Sequence, residues 1–270
     1  SVQSGVCAPQ YSNIITITVL PAVTTANAGA DQQVCFTTAA ILAGNTPTNG
    51  TGTWTVVPGA PSAVTFTNAN NPSSTVNGLV VGTYQFVWTI SNGTCADSRD
   101  TVSLTVDPQT VPGTLSASNT VCATSNNGTL TLSGYTSSIL NWESSIDNGA
   151  SWITIANTTN TLNYNNLSST TQYRVSVQSG VCAALYSNTV TITVNPLTVG
   201  GNIAANDTVC VTSNNGTLHL TNYVGDLIRW ESSTDLGNNW NLINHTGDQY
   251  SFTNLLRSTM FRVMVQSGVC

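Results

Sequence analysis

Lysine is absent, and the five basic residues are all arginines: Arg99, Arg174, Arg229, Arg257 and Arg262. Charged residues make up only 6% of the 270 positions, against about 25% in ordinary soluble domains. With a net charge of −6, the chain lacks the basic side chains that displace counterions from a phosphate backbone, which excludes nucleic acid as a partner. Isopeptide crosslinks through lysine are excluded as well. No apolar run approaches the roughly 18 residues of a membrane helix, so no membrane span is expected. There is no Cys-x-x-Cys pair, no Gly-rich phosphate loop and no nucleophile set beside a base. The two histidines, His219 and His245, read as surface residues. Without convergent titratable groups there is no catalytic centre, metal site or cofactor to propose, and an enzyme is not expected. No signal peptide is visible. That says nothing about export, because the chain begins inside a repeat.

What the chain has is polar uncharged residues and repetition. Apolar residues reach 40% and alternate with threonine, serine and asparagine, so a core can form. The string VQSGVC occurs at 2–7, 177–182 and 265–270. The segments SVQSGVCAPQYSNIITITVLP (1–21) and SVQSGVCAALYSNTVTITVNP (176–196) are nearly the same. Repeats close on Pro21, Pro108 and Pro196, which lie 87 and 88 positions apart. The expected organisation is the tail of an Ig-like repeat (1–21), a PKD-like or Ig-like repeat (22–108), an Ig-like repeat (109–196) and a further one lacking its last strand (197–270). The pattern reads as a window on a continuing array.

The cysteines follow the same period. Cys35 and Cys95 are 60 positions apart, as are Cys122 and Cys182, and Cys210 and Cys270. The expectation is one disulfide within each repeat, with Cys7 paired to a cysteine further upstream. Such bridges place the protein outside the cytoplasm. They also bear on mechanics. Under tension a bridge shields the residues it encloses. Only the short segments from Cys7 to Cys35, from Cys95 to Cys122 and from Cys182 to Cys210 would then extend.

Within 109–196, short alternating segments fall at 120–124, 128–133, 138–144, 151–156, 160–164, 171–178 and 187–194. They are rich in Thr, Val, Ile and Tyr and are separated by Asn-Gly or Ser-Gly turns. About seven such strands predict an all-β, immunoglobulin-like sandwich. Trp54, Trp142 and Trp230 follow the first cysteine of each repeat by 19 or 20 positions and are expected in the cores. The bridge is expected to join the start of the first strand to the end of the sixth, at one pole.

Two resemblances rest on particular residues. The stretch from AGADQQVC to DSRDTVSLTVDP (28–108) resembles the PKD-like repeats of very large secreted proteins of Bacteroidetes. TVCATSNNGTLTL…WESS and TVCVTSNNGTLHL…WESS resemble the Ig-like repeats found beside them. This resemblance implies export by type IX secretion and a role of the kind played by gliding-motility adhesins. Separately, Ser145–Trp152 and Ser233–Trp240 fit the S-x-D-x-G-x-x-W pattern of sialidase Asp-boxes, which implies a hairpin tied by its Asp and not a catalytic site.

Candidate sites remain few. Trp152 and Trp240 are candidate carbohydrate contacts, with packing as the competing role. Thr101 and Thr208, each after an Asp, are candidate O-glycosylation positions. Asp147 and Asp235 have too few acidic neighbours for calcium. Glu143 and Glu231 are expected to point to the face opposite the core, there to be solvated or paired locally, with Arg174 or Arg262 as partners. The functional expectation is a stalk segment of a large extracellular bacterial adhesin that bears tension and supports attachment. Its partners would be cell-surface or substratum ligands, including glycans, together with neighbouring repeats and laterally associated chains. The alternatives are a subunit of a self-assembling filament or an accessory module of a secreted hydrolase.

Overall fold

A computed structural model describes residues 2, 5–204 and 207–270. Every regular element among them is a strand. The chain divides into two compact units. Unit 1 comprises 1–109 with the turn 180–182, and unit 2 comprises 110–179 with 183–270.

In unit 1 the strands are β1 (Gln32–Cys35), β2 (Ala39–Ile41), β3 (Thr51–Val56), β4 (Thr65–Phe66), β5 (Thr75–Asn77), β6 (Gly82–Ser91) and β7 (Ser98–Asp107). They form one sheet in the order β1-β7-β6-β3 and another in the order β2-β5-β4. Alternation along β6 sends Tyr84, Phe86, Trp88 and Ile90 inward, as the two-residue period of a strand requires. Trp54 sits directly across from Trp88, with ring centroids 4.9 Å apart. Gly52 is needed there, because a Cβ would overlap the Trp88 ring.

Unit 2 continues with β8 (Pro112–Leu115), β9 (Asn119–Cys122), β10 (Asn127–Tyr135), β11 (Ser138–Ser145), β12 (Ile153–Ile155), β13 (Thr161–Asn165), β14 (Thr171–Gln178), β15 (Leu185–Tyr186) and β16 (Val190–Asn195). These make the sheets β13-β10-β8 and β12-β11-β14-β16-β9, with β15 beside β14. Between them lies a core built around Trp142, Leu130, Leu132, Val175 and Ile192. The strand β8 escapes the sequence reading because Pro112 and Gly113 argue against a strand. It lies at the edge of its sheet, where a missing N–H costs little. The second part of unit 2 holds β17 (Asn202–Ile203), β18 (Asn215–Thr221), β19 (Asp226–Ser233), β20 (Asn241–Ile243), β21 (Gln249–Thr253) and β22 (Met260–Gln266), as β17-β18-β21 and β20-β19-β22.

The cysteines depart from expectation. Cys35 is bonded to Cys182 and Cys122 to Cys270, with Cα–Cα distances of 4.8 and 5.5 Å and sequence separations of 147 and 148. The pairs Cys35–Cys95, Cys122–Cys182 and Cys210–Cys270 do not form, and Cys7, Cys95 and Cys210 are free thiols. The reason lies in the direction of one strand. β9 runs parallel to β16, with Cys122 opposite Asn195. Cys122 therefore closes its strand, at the end where the chain leaves the repeat. β14 runs antiparallel to β16, starting opposite Ile192, so Cys182 emerges at the other end. Eight residues of β14 at about 3.3 Å each separate the two poles by roughly 26 Å, and a disulfide needs its Cα atoms within about 7 Å. β1 repeats the arrangement along β7, with Cys35 opposite Asp107.

Candidate functional site

The cysteine bridges are the most constructed feature of the molecule. In unit 1, β1 delivers Cys35 to the exit of its repeat, and the amide of Phe36 donates to the Asp107 carbonyl at 2.9 Å. The turn Gly180–Cys182 lies on the same residues. The Val181 amide donates to Asp107 Oδ2 at 2.9 Å, Gln33 Nε2 donates to both carboxylate oxygens at 3.1 and 2.9 Å, and Cys182 Sγ lies 3.3 Å from the Pro108 carbonyl. Gly180 has a φ of +48°, and a Cβ there would overlap the Asp107 carboxylate. Glycine answers both demands, since it has no side chain and enters the left-handed region without penalty.

Unit 2 repeats the construction. Ala123 donates to the Asn195 carbonyl at 2.8 Å. Gly268, with φ +51°, packs on the Asn195 side chain, and Cys270 Sγ lies 3.7 Å from the Asn195 carbonyl. A third instance involves a free thiol. Asn92 Nδ2 donates to the Pro21 carbonyl at 2.8 Å, and Cys95 Sγ lies 3.7 Å from the same oxygen. In all three places the turn after the long strand β6, β14 or β22 seats its cysteine on the exit residues of the preceding repeat. The sequence reading missed Asp107, Asn195 and the two glycines. The signal was present in the Ser-Gly that precedes Val-Cys at 179–182 and 267–270.

A second cluster lies on the outer face of unit 2. Arg174 donates through Nε to Glu143 Oε2 at 2.7 Å, and its guanidinium sits between Trp152 (4.1 Å) and Tyr186 (3.9 Å). The Tyr186 hydroxyl donates to Glu143 Oε1 at 3.2 Å. In the following repeat Arg262 lies 4.0 Å over Trp240 and donates to Glu231, which Arg229 also contacts. The two guanidinium groups, that of Arg229 first, hold the Glu231 carboxyl below its ordinary range. Of the two expectations for these glutamates, local pairing with Arg174 and Arg262 is the one present, and neither is solvated, since both are buried. Each candidate carbohydrate contact, Trp152 and Trp240, thus has one ring face covered by an arginine.

The two Asp-box segments are hairpin turns. Asp147 Oδ1 accepts the Ser145 hydroxyl at 2.7 Å and the Ser151 amide at 2.9 Å, and Oδ2 accepts the Ser151 hydroxyl. These bonds, led by that of the Ser151 hydroxyl, pull the Asp147 pKa down to about 2. Asp235 is held at about 2 in the same way, first by the Asn239 amide, then by the Asn239 side chain and Ser233. Thr101 is exposed on β7, and Thr208 is exposed ahead of β18. Among the described residues, no three His, Cys, Asp or Glu side chains cluster to hold a metal ion, and no helix is long and apolar enough to cross a membrane.

Similarity to known proteins follows the same division. A family model described as "Domain of unknown function (DUF8696)" matches residues 111–196 and 199–270, and one described as "K319L-like, PKD domain" matches 28–106. No curated protein matches the chain. Among solved structures, the I-band fragment of titin is 13% identical, with 92% of this chain and 96% of that chain covered and a TM-score of 0.57. An E-to-A mutated variant of the same three-Ig fragment gives 0.56 at equal identity and coverage. These likenesses establish tandem Ig-like and PKD-like domains, which are typical of extracellular proteins. The DUF8696 model covers more than half of the sequence, and the chain belongs to that family, with a PKD-like domain ahead of its two DUF8696 domains.

Proposed function

We propose that the chain is a tension-bearing, non-catalytic stalk segment of an extracellular bacterial surface adhesin, in which each repeat is stapled to the next. The observation that carries this reading is the interlacing of the two bridges, since 35–182 and 122–270 overlap across 122–182. A force applied at Cys35 and Cys210 crosses the first bridge, and only the segment 182–210 remains to extend. Its full extension is roughly 95 Å at about 3.4 Å per residue. Bridges within repeats would have left 95–122 to extend as well, and no bridges would leave the whole of 35–210. Interlacing therefore nearly halves the extensible chain while leaving each sandwich unchanged. Oxidising surroundings are needed for such bonds to persist, which supports export. The resemblance to Bacteroidetes surface proteins supports the type IX route and a gliding-type adhesin.

The test is single-molecule pulling with handles placed just before Cys35 and just after Cys210. When the protein is oxidised, the expected contour length released on full unfolding is that of the segment 182–210 alone, roughly 95 Å. After reduction it should rise to that of the whole span 35–210. An oxidised protein that releases 95–122 and 182–210 together would overturn the stapled arrangement and the mechanical reading with it.

A further inference from the structure

The Cys35–Cys182 bridge is built asymmetrically. Cys35 is exposed at the end of β1, whereas Cys182 is only 3% exposed. A thiolate opens a disulfide by attacking one sulfur, and the other sulfur leaves with the electron pair of the broken bond. Burial closes the Cys182 sulfur to attack, so attack falls on Cys35 and the charge leaves on Cys182 Sγ. That atom lies 3.3 Å from the Pro108 carbonyl oxygen, a poor neighbour for an anion. The Asp107 carboxylate belongs to the same seat. It accepts the amide of Val181, the residue before Cys182, at 2.9 Å, and a Cβ on Gly180 would overlap it. Asp107 is also the residue opposite Cys35 in the β1–β7 register. Two bonds from Gln33 fix its side chain, and the residue is 8% exposed. A charge so placed is screened far less by salt than one on the surface.

We propose that Cys35 is the S-thiolation site of the molecule and that Asp107 selects the attacking thiol by charge, admitting cationic and neutral thiols and rejecting anionic ones. In the step, a thiolate sulfur bonds to Cys35 Sγ as the Cys35–Cys182 bond breaks. The electron pair of that bond stays on Cys182 Sγ, which takes a proton from water. The mixed disulfide remains on Cys35, and no oxidant is consumed. Asp107 acts twice. It repels an anionic thiol on approach, and it opposes the negative charge that must develop on Cys182. The second effect slows every thiol, because exchange slows as the leaving thiolate becomes less stable. The first effect separates thiols by their charge. The proposal rests on the bridge that the stapled reading uses, and it names what can open the staple. Exchange is measured without load, so a failure here and a failure of the pulling test are told apart.

The test uses the full chain with its free thiols capped by iodoacetamide. It is exposed to cysteamine, 2-mercaptoethanol or 2-mercaptoethanesulfonate at equal thiolate concentration, quenched with N-ethylmaleimide and mapped by mass spectrometry. The expected first product carries the small thiol on Cys35 and maleimide on Cys182. Rates should fall in the order cation, neutral, anion. Asp107→Asn keeps an acceptor for the Val181 amide and removes the charge. It should speed all three reactions and the anionic one most, by about tenfold. Two controls separate this from other causes. Asp97→Asn removes the same net charge at the far end of β7 and should leave the series unchanged. Gln33→Leu removes the two bonds that fix the carboxylate and keeps its charge, so the charge order should persist. A seat that was merely loosened would react faster with all three thiols alike. Adducts on Cys182, rates independent of thiol charge, or an Asp107→Asn protein that keeps the original charge order would each overturn the proposal.

Discussion

The two DUF8696 domains share a framework, and their cores nevertheless differ. Trp142 and Trp230 are both fully buried, and each donates its indole N–H to a carbonyl in the same turn position, Thr159 and Gly247. β14 and β22 have matching alternation, with Tyr173, Val175 and Val177 answered by Phe261, Val263 and Val265. Yet the three β14 side chains are buried and the β22 side chains are only half-buried. The difference lies in the neighbour. β14 is flanked by β11 and β16, whereas β22 has β19 on one side and no strand on the other among the described residues. Alternation decides which face of a strand turns inward, and the adjoining strand decides how far water is excluded from it.

The largest test of that contrast is removal of a staple. Cys270→Ser opens a loop whose ends are 148 positions apart, worth up to about 5 kcal/mol in the chain-entropy model. Because Cys270 closes the segment that follows β22, amide exchange should accelerate in 197–270 well before 109–196. Equal loss of protection in both would mean that the domains stand or fall together. Next come the paired tryptophans. Trp142→Ala should cost about 4 kcal/mol, and Trp230→Ala about half as much, because an open core collapses or hydrates more readily than a closed one. Denaturant melts of the two variants give the ratio. A smaller effect separates the arginines. Arg174→Ala loses two ring faces and should cost about 1–2 kcal/mol, whereas Arg262→Ala loses one and should cost less. Thermal melts that rank them in reverse would remove Tyr186 from the account.

The smallest effect should be the same in both domains. Asp147 and Asp235 are each held at about 2, below the ordinary 3.8. Folding therefore favours their ionised forms. Their contribution is complete above about pH 4 and is lost as pH falls through about 2. Asp147→Asn and Asp235→Asn should flatten the acid limb of the stability curve to equal degrees. Unequal flattening would show that the hairpins feel the difference between the cores.

Much of this architecture was legible in the sequence. The tryptophan spacing located all three cores, and threonine-rich alternation located most strands, because both are local patterns. The face of Glu143 and Glu231 was legible too, since each follows an inward tryptophan, whereas their pairing with Arg174 and Arg262 rather than water was settled only by the cross-strand register. The cysteine partners were not. An equal spacing inside each repeat implies an equally regular spacing between repeats, so period alone leaves the two pairings degenerate. What separates them is whether Cys122 opens or closes its strand. That depends on a parallel contact with β16, far along the chain at Ile192–Asn195, which no local pattern encodes.

The overlap of the two loops also bears on survival in a protease-rich medium. Every peptide bond from Cys35 to Cys270 is enclosed by at least one disulfide, and those from Cys122 to Cys182 by both. A single cut anywhere in that span leaves two fragments still covalently joined. Even a second cut in that span leaves its two ends covalently joined, and separating them takes a third cut or a reductant, so an exposed loop that is nicked remains a link in the chain.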